Sequence, residues 1–393
     1  MLPMVIKSYD LSLTMASFLP FSFFLAYGIM SIPASAIVEK YGSKVALLLA
    51  FGLNLFGAGL FVLFPTYAIV LISLFTIGLG MAMLQVILFP LMRQAGGEEH
   101  LAFNQVLSQF VFGIASFISP FFLTWLIKVI TDQQLQNVFV NAIRSVSHEG
   151  LAWSSMYFIF SIVFILMLII ISKTDIPRVE LKEDEKTGTL EHYKTLLKNK
   201  YVILFFLGNI AYVGTEQGIA NWICVFLETY HGISQEVGAI VVAWFWGLMT
   251  IGCLIGLLLV RLMDAKKMLR MFSYLALICI SLALFGSAKV SLIAFASCGF
   301  AISIMNSVII SLAMNSVQSY HGALSGIMCT GIFGGALVPL IIGGLGDLIG
   351  LRSSMCFLYI TIGYILSISY WAHPLIKNET MSLKEFLRLK KNK

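Results

Sequence analysis

Tyr212-Val-Gly-Thr-Glu-Gln-Gly-Ile-Ala-Asn-Trp222 lies inside an apolar run, from Tyr201 to about Thr229, that is long enough to cross a bilayer. Glu216 stands near the middle of that run, and it is the one acidic residue of the chain read as deep within a span. A charged acid at the centre of a spanning helix costs about 2.5–3.5 kcal/mol on insertion scales, so it faces a cavity or a partner. Helical spacing says which neighbours share its side. Asn209 and Tyr212 stand seven and four positions before it, and Gln217 and Asn221, four apart, flank the stripe. Two readings follow: a buried acid that locks helices together, or the polar lining of a cavity.

Composition supports a membrane setting. The chain has 393 residues, 59% hydrophobic and 11% charged, against about 25% charged in soluble domains. Its mean hydropathy is +0.93, which makes it an all-α polytopic membrane protein. Cys224, Cys253, Cys279, Cys298, Cys329 and Cys356 fall within or at the edge of apolar runs and form no C-x-x-C pair, so neither a disulfide frame nor a zinc site is indicated. The histidines show no metal spacing, and there is no P-loop Gly-Lys-Ser/Thr and no Ser/His/Asp arrangement. No cofactor, metal site or catalytic centre is expected.

Runs of about 20 apolar residues give eleven spans, at roughly 12–37, 45–64, 67–92, 101–130, 151–172, 201–229, 237–260, 268–286, 290–316, 322–347 and 351–372. The first is too long, and lacks the clustered basic flank, for a signal peptide. Charge then sets orientation. Of 25 lysines and arginines, 20 lie in the loops after the odd-numbered spans up to the ninth and in the C-terminal tail; Lys7, Lys128, Arg144, Lys289 and Arg352 lie on the other face. This positive-inside split puts those loops and the C-terminus in the cytoplasm. It also excludes nucleic acid as a partner, because the net charge of +6 is spread over short loops. The expected organisation is a five-span half-bundle (1–172), a cytoplasmic linker (173–200), a six-span half-bundle (201–375) and a basic tail (376–393). Within the linker, Thr189 to Leu197 reads as a short surface helix.

A weak repeat recurs. Ser35-Ala-Ile-Val-Glu39-Lys40-Tyr-Gly42-Ser-Lys44 follows the first span, Gly256-Leu-Leu-Leu-Val-Arg261-Leu-Met-Asp264-Ala-Lys266-Lys267 the seventh, and Gly343-Gly-Leu-Gly-Asp347-Leu-Ile-Gly350-Leu-Arg352 the tenth, on the outer face. Small residues let helices approach closely, and the charges cap and pair at the membrane surface. Gly252-x3-Gly256 is likewise read as a packing surface.

These loops, with two halves joined by a cytoplasmic connector, resemble the major facilitator superfamily of secondary transporters. Tyr212-Val213-Gly214-x-Glu216-x-x-Ile219-x-x-Trp222 and Gly331-Ile-Phe-Gly-Gly-Ala-Leu-Val-Pro339 resemble its fucose/galactose/glucose–proton symporter branch. The resemblance implies twelve spans, two half-bundles that rock about a midplane site, and transport of a sugar, with proton coupling in that branch. This chain departs from the pattern. The span ending in Ser35 to Lys44 is the family's second, so the first family helix, with an aspartate that sugar–proton members carry, has no counterpart among the eleven. An upstream span, from a reading frame that once began earlier, is therefore expected. Where the branch has Leu-Glu-Thr-Ala-Ala-Asn-Pro, this chain has Leu84-Gln85-Val-Ile-Leu-Phe89-Pro90, and Gln85 cannot carry a proton. Where the branch has Leu-Asn-Leu-Ala-Gln-x-Phe-Asn, only Asn104 remains in Phe103-Asn104-Gln105-Val-Leu-Ser108-Gln109-Phe110.

The candidate solute site is Tyr212, Glu216, Gln217, Asn221, Gln85, Gln109 and Asn306, with Glu216 as proton-coupling candidate. Amides and hydroxyls both donate and accept, which suits a neutral sugar or polyol. Trp222, Trp244 and Trp246 offer planes for a sugar ring, although interfacial anchoring explains Trp222 and Trp244 equally. The expected protein is a secondary transporter in a bacterial inner membrane. Three alternatives stand beside it: transport of a non-sugar solute, a non-transporting sensor or decayed paralogue on the same fold, and an integral-membrane enzyme, against which the lack of a catalytic constellation argues.

Overall fold

A chain in hydrocarbon must satisfy its backbone polar groups internally, and long apolar runs do so as helices. The computed structural model describes residues 2–96, 101–132, 138–147, 151–176, 190–317 and 320–374, and no strand occurs among them. Eleven helical stretches there are long and apolar enough to span a membrane. The first five are α2 (Leu13–Tyr41), α3 (Ser43–Leu63), α4 (Tyr67–Gly96), α5 (Leu101–Thr131) and α7 (Ser155–Lys173). The next three are α9 (Lys200–His231), α10 (Gln235–Leu262) and α11 (Ala265–Phe285). Short helices α1 (Leu2–Tyr9), α6 (Val138–Val146) and α8 (Leu190–Leu197) lie between or before them.

The last three spans are broken, which hydropathy does not foretell. They comprise α12 (Ala288–Ile302) with α13 (Met305–Met314), α14 (His321–Thr330) with α15 (Gly334–Ile349), and α16 (Leu351–Met355) with α17 (Phe357–Trp371). The first break is imposed from α10. Side chains on Gly252 and Gly256 would overlap Ser303 and Ile304, and one on Gly299 would overlap the Phe245 carbonyl. The Cys253 thiol donates to the Ser303 carbonyl at 3.2 Å, satisfying a group at the break. The second break, a 3-10 turn over Gly331–Phe333, is pressed between α9 and α2: Gly334 abuts the Ile210 carbonyl and Gly335 the Phe24 ring.

Local signals set several helix ends. Asn199 caps α9 by accepting from Tyr201 N, and Gly232, at φ 62°, closes its other end. Asp264 accepts from Lys266 N and Lys267 N at the start of α11. Two repeat copies prove to be one turn. Gly42 and Gly350 both have φ 82°, each ending one helix and starting the next, in the left-handed region that favours glycine. Ser35, Glu39 and Lys44 occupy the same offsets from Gly42 as Gly343, Asp347 and Arg352 do from Gly350.

Helices pack as two groups. In the first, α2 and α3 pack on α4, and α3 on α7; in the second, α10 and α11 pack on α12, and α15 and α17 on α9. Two seams join them, α2 against α15 and α5 against α10. The molecule has a basic end, carrying Lys40, Lys173, Lys200 and Lys266, and a far end where α2 starts and α15 finishes. Both seams are closed from the far end inwards. Along the first, Gly343 meets Leu13 and Ser17, Gly335 meets Phe24, and Gly28 meets Phe333. Along the second, Lys128 pairs with Glu236 at 3.3 Å, Phe117 packs edge-on to Trp244, and Gly113 abuts Thr250. At about 1.5 Å per residue, Asp347 to Phe333 reaches roughly 21 Å into the bundle, past the level of Glu216, since Gly214 and Gly218 on α9 face Val338 and Ile342.

Short helices finish the ends. On α6, Arg144 donates to the carbonyls of Val129, Ile130 and Asp132, placing a cation at the C-terminus of α5 where the dipole favours it. At the basic end, α8 docks on α14 with Leu196 buried, and His192 stacks on Tyr320 with centroids 4.2 Å apart. Burial pushes the Tyr193 phenol above its ordinary value.

Candidate functional site

The best-buried polar stretch is on α9. Between Ala211 and Leu227 every residue is buried except Glu216, Gln217, Ala220 and Asn221. Those four occupy two successive turns of one face, continued towards the basic end by the half-buried Phe206 and Ile210. The polar side chains of the opening are joined to one another. Tyr212 donates to Glu216 Oε2 at 2.8 Å, and Gln217 Nε2 donates to Oε1 at 3.0 Å. Asn221 Nδ2 donates to the Gln217 carbonyl at 2.8 Å and lies 3.5 Å from Gln217 Oε1. A carboxylate offers about four acceptor positions. Two are used here, leaving two for a solute hydroxyl or a proton.

The rest of α9 is tied down behind this face. Thr215 bonds across to Thr361 of α17 at 2.7 Å, with both residues buried. Asn209 shares the stripe of Tyr212 and Glu216 but is turned inwards, donating to the Met328 carbonyl at 2.6 Å. It thereby satisfies the last turn of α14 at the second break and serves packing. Gly214 and Gly218 give α15 and α17 room: a side chain at Gly214 would overlap Val338.

Residues from the other helices are placed unevenly. Gln85 lies on α4 and is exposed. Gln109, like Asn104, Gln105 and Ser108, lies on α5, but the side chains of these four fall outside the described residues. Asn306 is the second residue of α13, just past the first break, half-buried, with an Oδ1 that is buried and has no hydrogen-bond partner. Of the tryptophans, Trp222 is fully buried in the core, so it is neither an interfacial anchor nor a platform. Trp244 is exposed and packs on Phe117, and Trp246 is half-buried, edge-on to Phe112 and Phe245.

Two participants escaped the sequence reading. Cys253 lies within electrostatic reach of both Glu216 and Tyr212 while bonding the first break. Thr361 holds α9 from behind. The Gly252-x3-Gly256 stretch that brackets Cys253 carried a signal of close packing, but nothing in it named the partner.

The profile of the Major Facilitator Superfamily matches residues 1–339. The chain belongs to that superfamily. A glucose/galactose transporter of Brucella abortus is 28% identical over 374 residues, covering 93% of this chain and 87% of its own. The L-fucose-proton symporter of Escherichia coli is 23% identical over 382 residues, covering 92% and 87%. A crystal structure of the E. coli fucose symporter in its outward conformation superposes with a TM-score of 0.68 over 94% of this chain and 93% of its own, at 20% identity. Superfamily membership accounts for the two helix groups joined along two seams.

Proposed function

We propose that this protein is a secondary active transporter that moves a small sugar by alternating access, with Glu216, Tyr212, Gln217 and Asn221 as its solute-binding chain. Asn306, on the neighbouring α13, and Gln85 and Gln109, on α4 and α5 of the other group, are the candidates to extend that site. The observation that carries this reading is that the opening on α9 coincides with its hydrogen-bonded polar residues, on an otherwise buried helix. A pure helix lock would bury the carboxylate against a partner from another span; here both oxygens are bound by side chains of α9 itself. Names of the relatives point to hexoses and fucose, and the amide and hydroxyl chemistry fits such solutes.

Proton coupling through Glu216 belongs to the same proposal. A proton carried inwards with the solute would bring in about 2.3 kcal/mol per 100 mV of membrane potential. The half-bundles 1–172 and 201–375 would rock about the site, with linker 173–200 and tail 376–393 in the cytoplasm of a bacterial inner membrane. In that orientation the basic end faces inwards and the far end outwards.

Uptake of labelled glucose, galactose and fucose into proteoliposomes, with and without an inward proton gradient, tests the reading. Saturable uptake that accumulates only with the gradient is expected. Background uptake of all three would overturn the sugar assignment, and gradient-independent accumulation the coupling. A cysteine at position 186 should resist a membrane-impermeant reagent added to intact cells; strong labelling would reverse the orientation.

A further inference from the structure

The far end is held shut by a contact that the repeat alone does not explain. The Asp347 carboxylate, at the C-terminal end of α15, reaches across the seam to the start of α2. Its Oδ1 accepts from Leu13 N at 2.8 Å; its Oδ2 accepts from Thr14 N at 2.8 Å and from Thr14 Oγ1 at 2.5 Å. Ser12 caps the same helix from its own side by accepting from Met15 N. One helix group thus supplies an anion to the unsatisfied first-turn N–H groups of a helix in the other.

Two ion pairs cross the groups at the same end, Lys7–Glu228 at 2.5 Å and Lys128–Glu236 at 3.3 Å. Their side chains are largely solvent-exposed, at 62% and 34% and at 63% and 62%, and exposed pairs of long side chains contribute little. The Asp347 contact differs in kind. It is short-armed, multidentate and charge-assisted, and it meets the positive end of a helix dipole.

We propose that Asp347 is the latch of the far end: bonding the α2 start stabilises the state closed there, and these bonds must break whenever α2 and α15 part. The inference rests on the alternating-access reading above. It assigns to the third repeat copy a role in setting the balance between the two states, separate from solute chemistry.

The test measures distance rather than transport. Spectroscopic labels are introduced as non-canonical amino acids at the exposed Phe18 and Leu348, and pulsed dipolar spectroscopy reads the separation of α2 and α15 in proteoliposomes. Asp347→Asn keeps the shape and removes the charge; Thr14→Pro removes two donors from the other side, at a first-turn position where proline is tolerated. Each should raise the ratio of long to short separations by about tenfold, the scale of losing a charge-assisted bond. The double variant should shift it no further than the larger single, because both break one interaction. Two separations in an unchanged ratio in both single variants, or a fully additive double, would overturn the latch while leaving alternating access standing. A single short separation in every variant, with and without sugar, would count against alternating access itself.

Discussion

The two helices that pack on either side of α15, α9 and α2, are built from different chemistry. On α9, Tyr212, Glu216, Gln217 and Asn221 form one hydrogen-bonded chain. On α2, Phe21, Phe23, Phe24 and Tyr27 lie level with the second break, packed ring against ring and against Phe333 and Gly335 of the tenth span. An apolar wall can slide without breaking directional bonds, whereas a hydrogen-bonded wall must stay satisfied throughout. The difference suggests a division of labour: α9 recognises, and α2 moves.

The largest effect should come from breaking that division at its centre. Glu216→Gln keeps the shape and the capacity to accept from Tyr212 while abolishing the ionisable group. Accumulation of sugar against its gradient should fall to equilibration, with counterflow exchange retained. Accumulation equal to the parent protein would remove Glu216 from coupling. Next come the two amides. Gln217→Leu or Asn221→Leu deletes a side chain able to hydrogen bond solute, a loss of about 1–1.5 kcal/mol each, so KM should rise about tenfold with little change in maximal rate. A fall in maximal rate at constant KM would instead place them in the conformational step.

A smaller effect tests whether α9 needs its support. Thr215→Val leaves Thr361 without its partner across α9 and α17, with an expected cost of about 1 kcal/mol in stability, read as earlier thermal unfolding in detergent. Val at both positions should recover most of that loss, because matched apolar groups replace a matched polar pair. Failure of the double variant to recover would mean that the bond does more than pair two buried hydroxyls.

Much of this was legible from residue order. Hydropathy located eleven spans because apolar length is a local property, and Glu216 drew attention because a midspan acid is costly anywhere. The polar neighbours on its face followed from helical spacing. What stayed hidden depends on residues far apart in the chain. Ser303 has neither proline nor glycine beside it to announce a break; the break arises from α10, through Gly252 and Gly256, about 50 positions earlier. Asn209 looked like its stripe-mates, and only the carbonyl of Met328 shows it to be a packing bond. The repeat revealed that Asp347 recurs, but its target, the start of α2, lies 333 positions away in sequence.

The smallest expected effect concerns the apolar wall, and it sharpens the comparison most. Phe24 packs on Phe23, Tyr27 and Gly335, so Phe24→Leu keeps an apolar side chain of nearly the same bulk and removes only the aromatic plane. If α2 serves movement alone, such a swap costs less than about 1.5 kcal/mol in packing, and sugar KM should stay within twofold of the parent. An aromatic plane can also stack on the C–H face of a sugar, and in that case the same substitution would raise KM several-fold without destabilising the fold. Competition binding and thermal unfolding on one preparation separate the outcomes. A weaker KM at unchanged unfolding temperature makes α2 a recognition surface and breaks the division of labour. An unchanged KM with a slightly lower unfolding temperature keeps recognition on α9, because bulk is then all that α2 supplies.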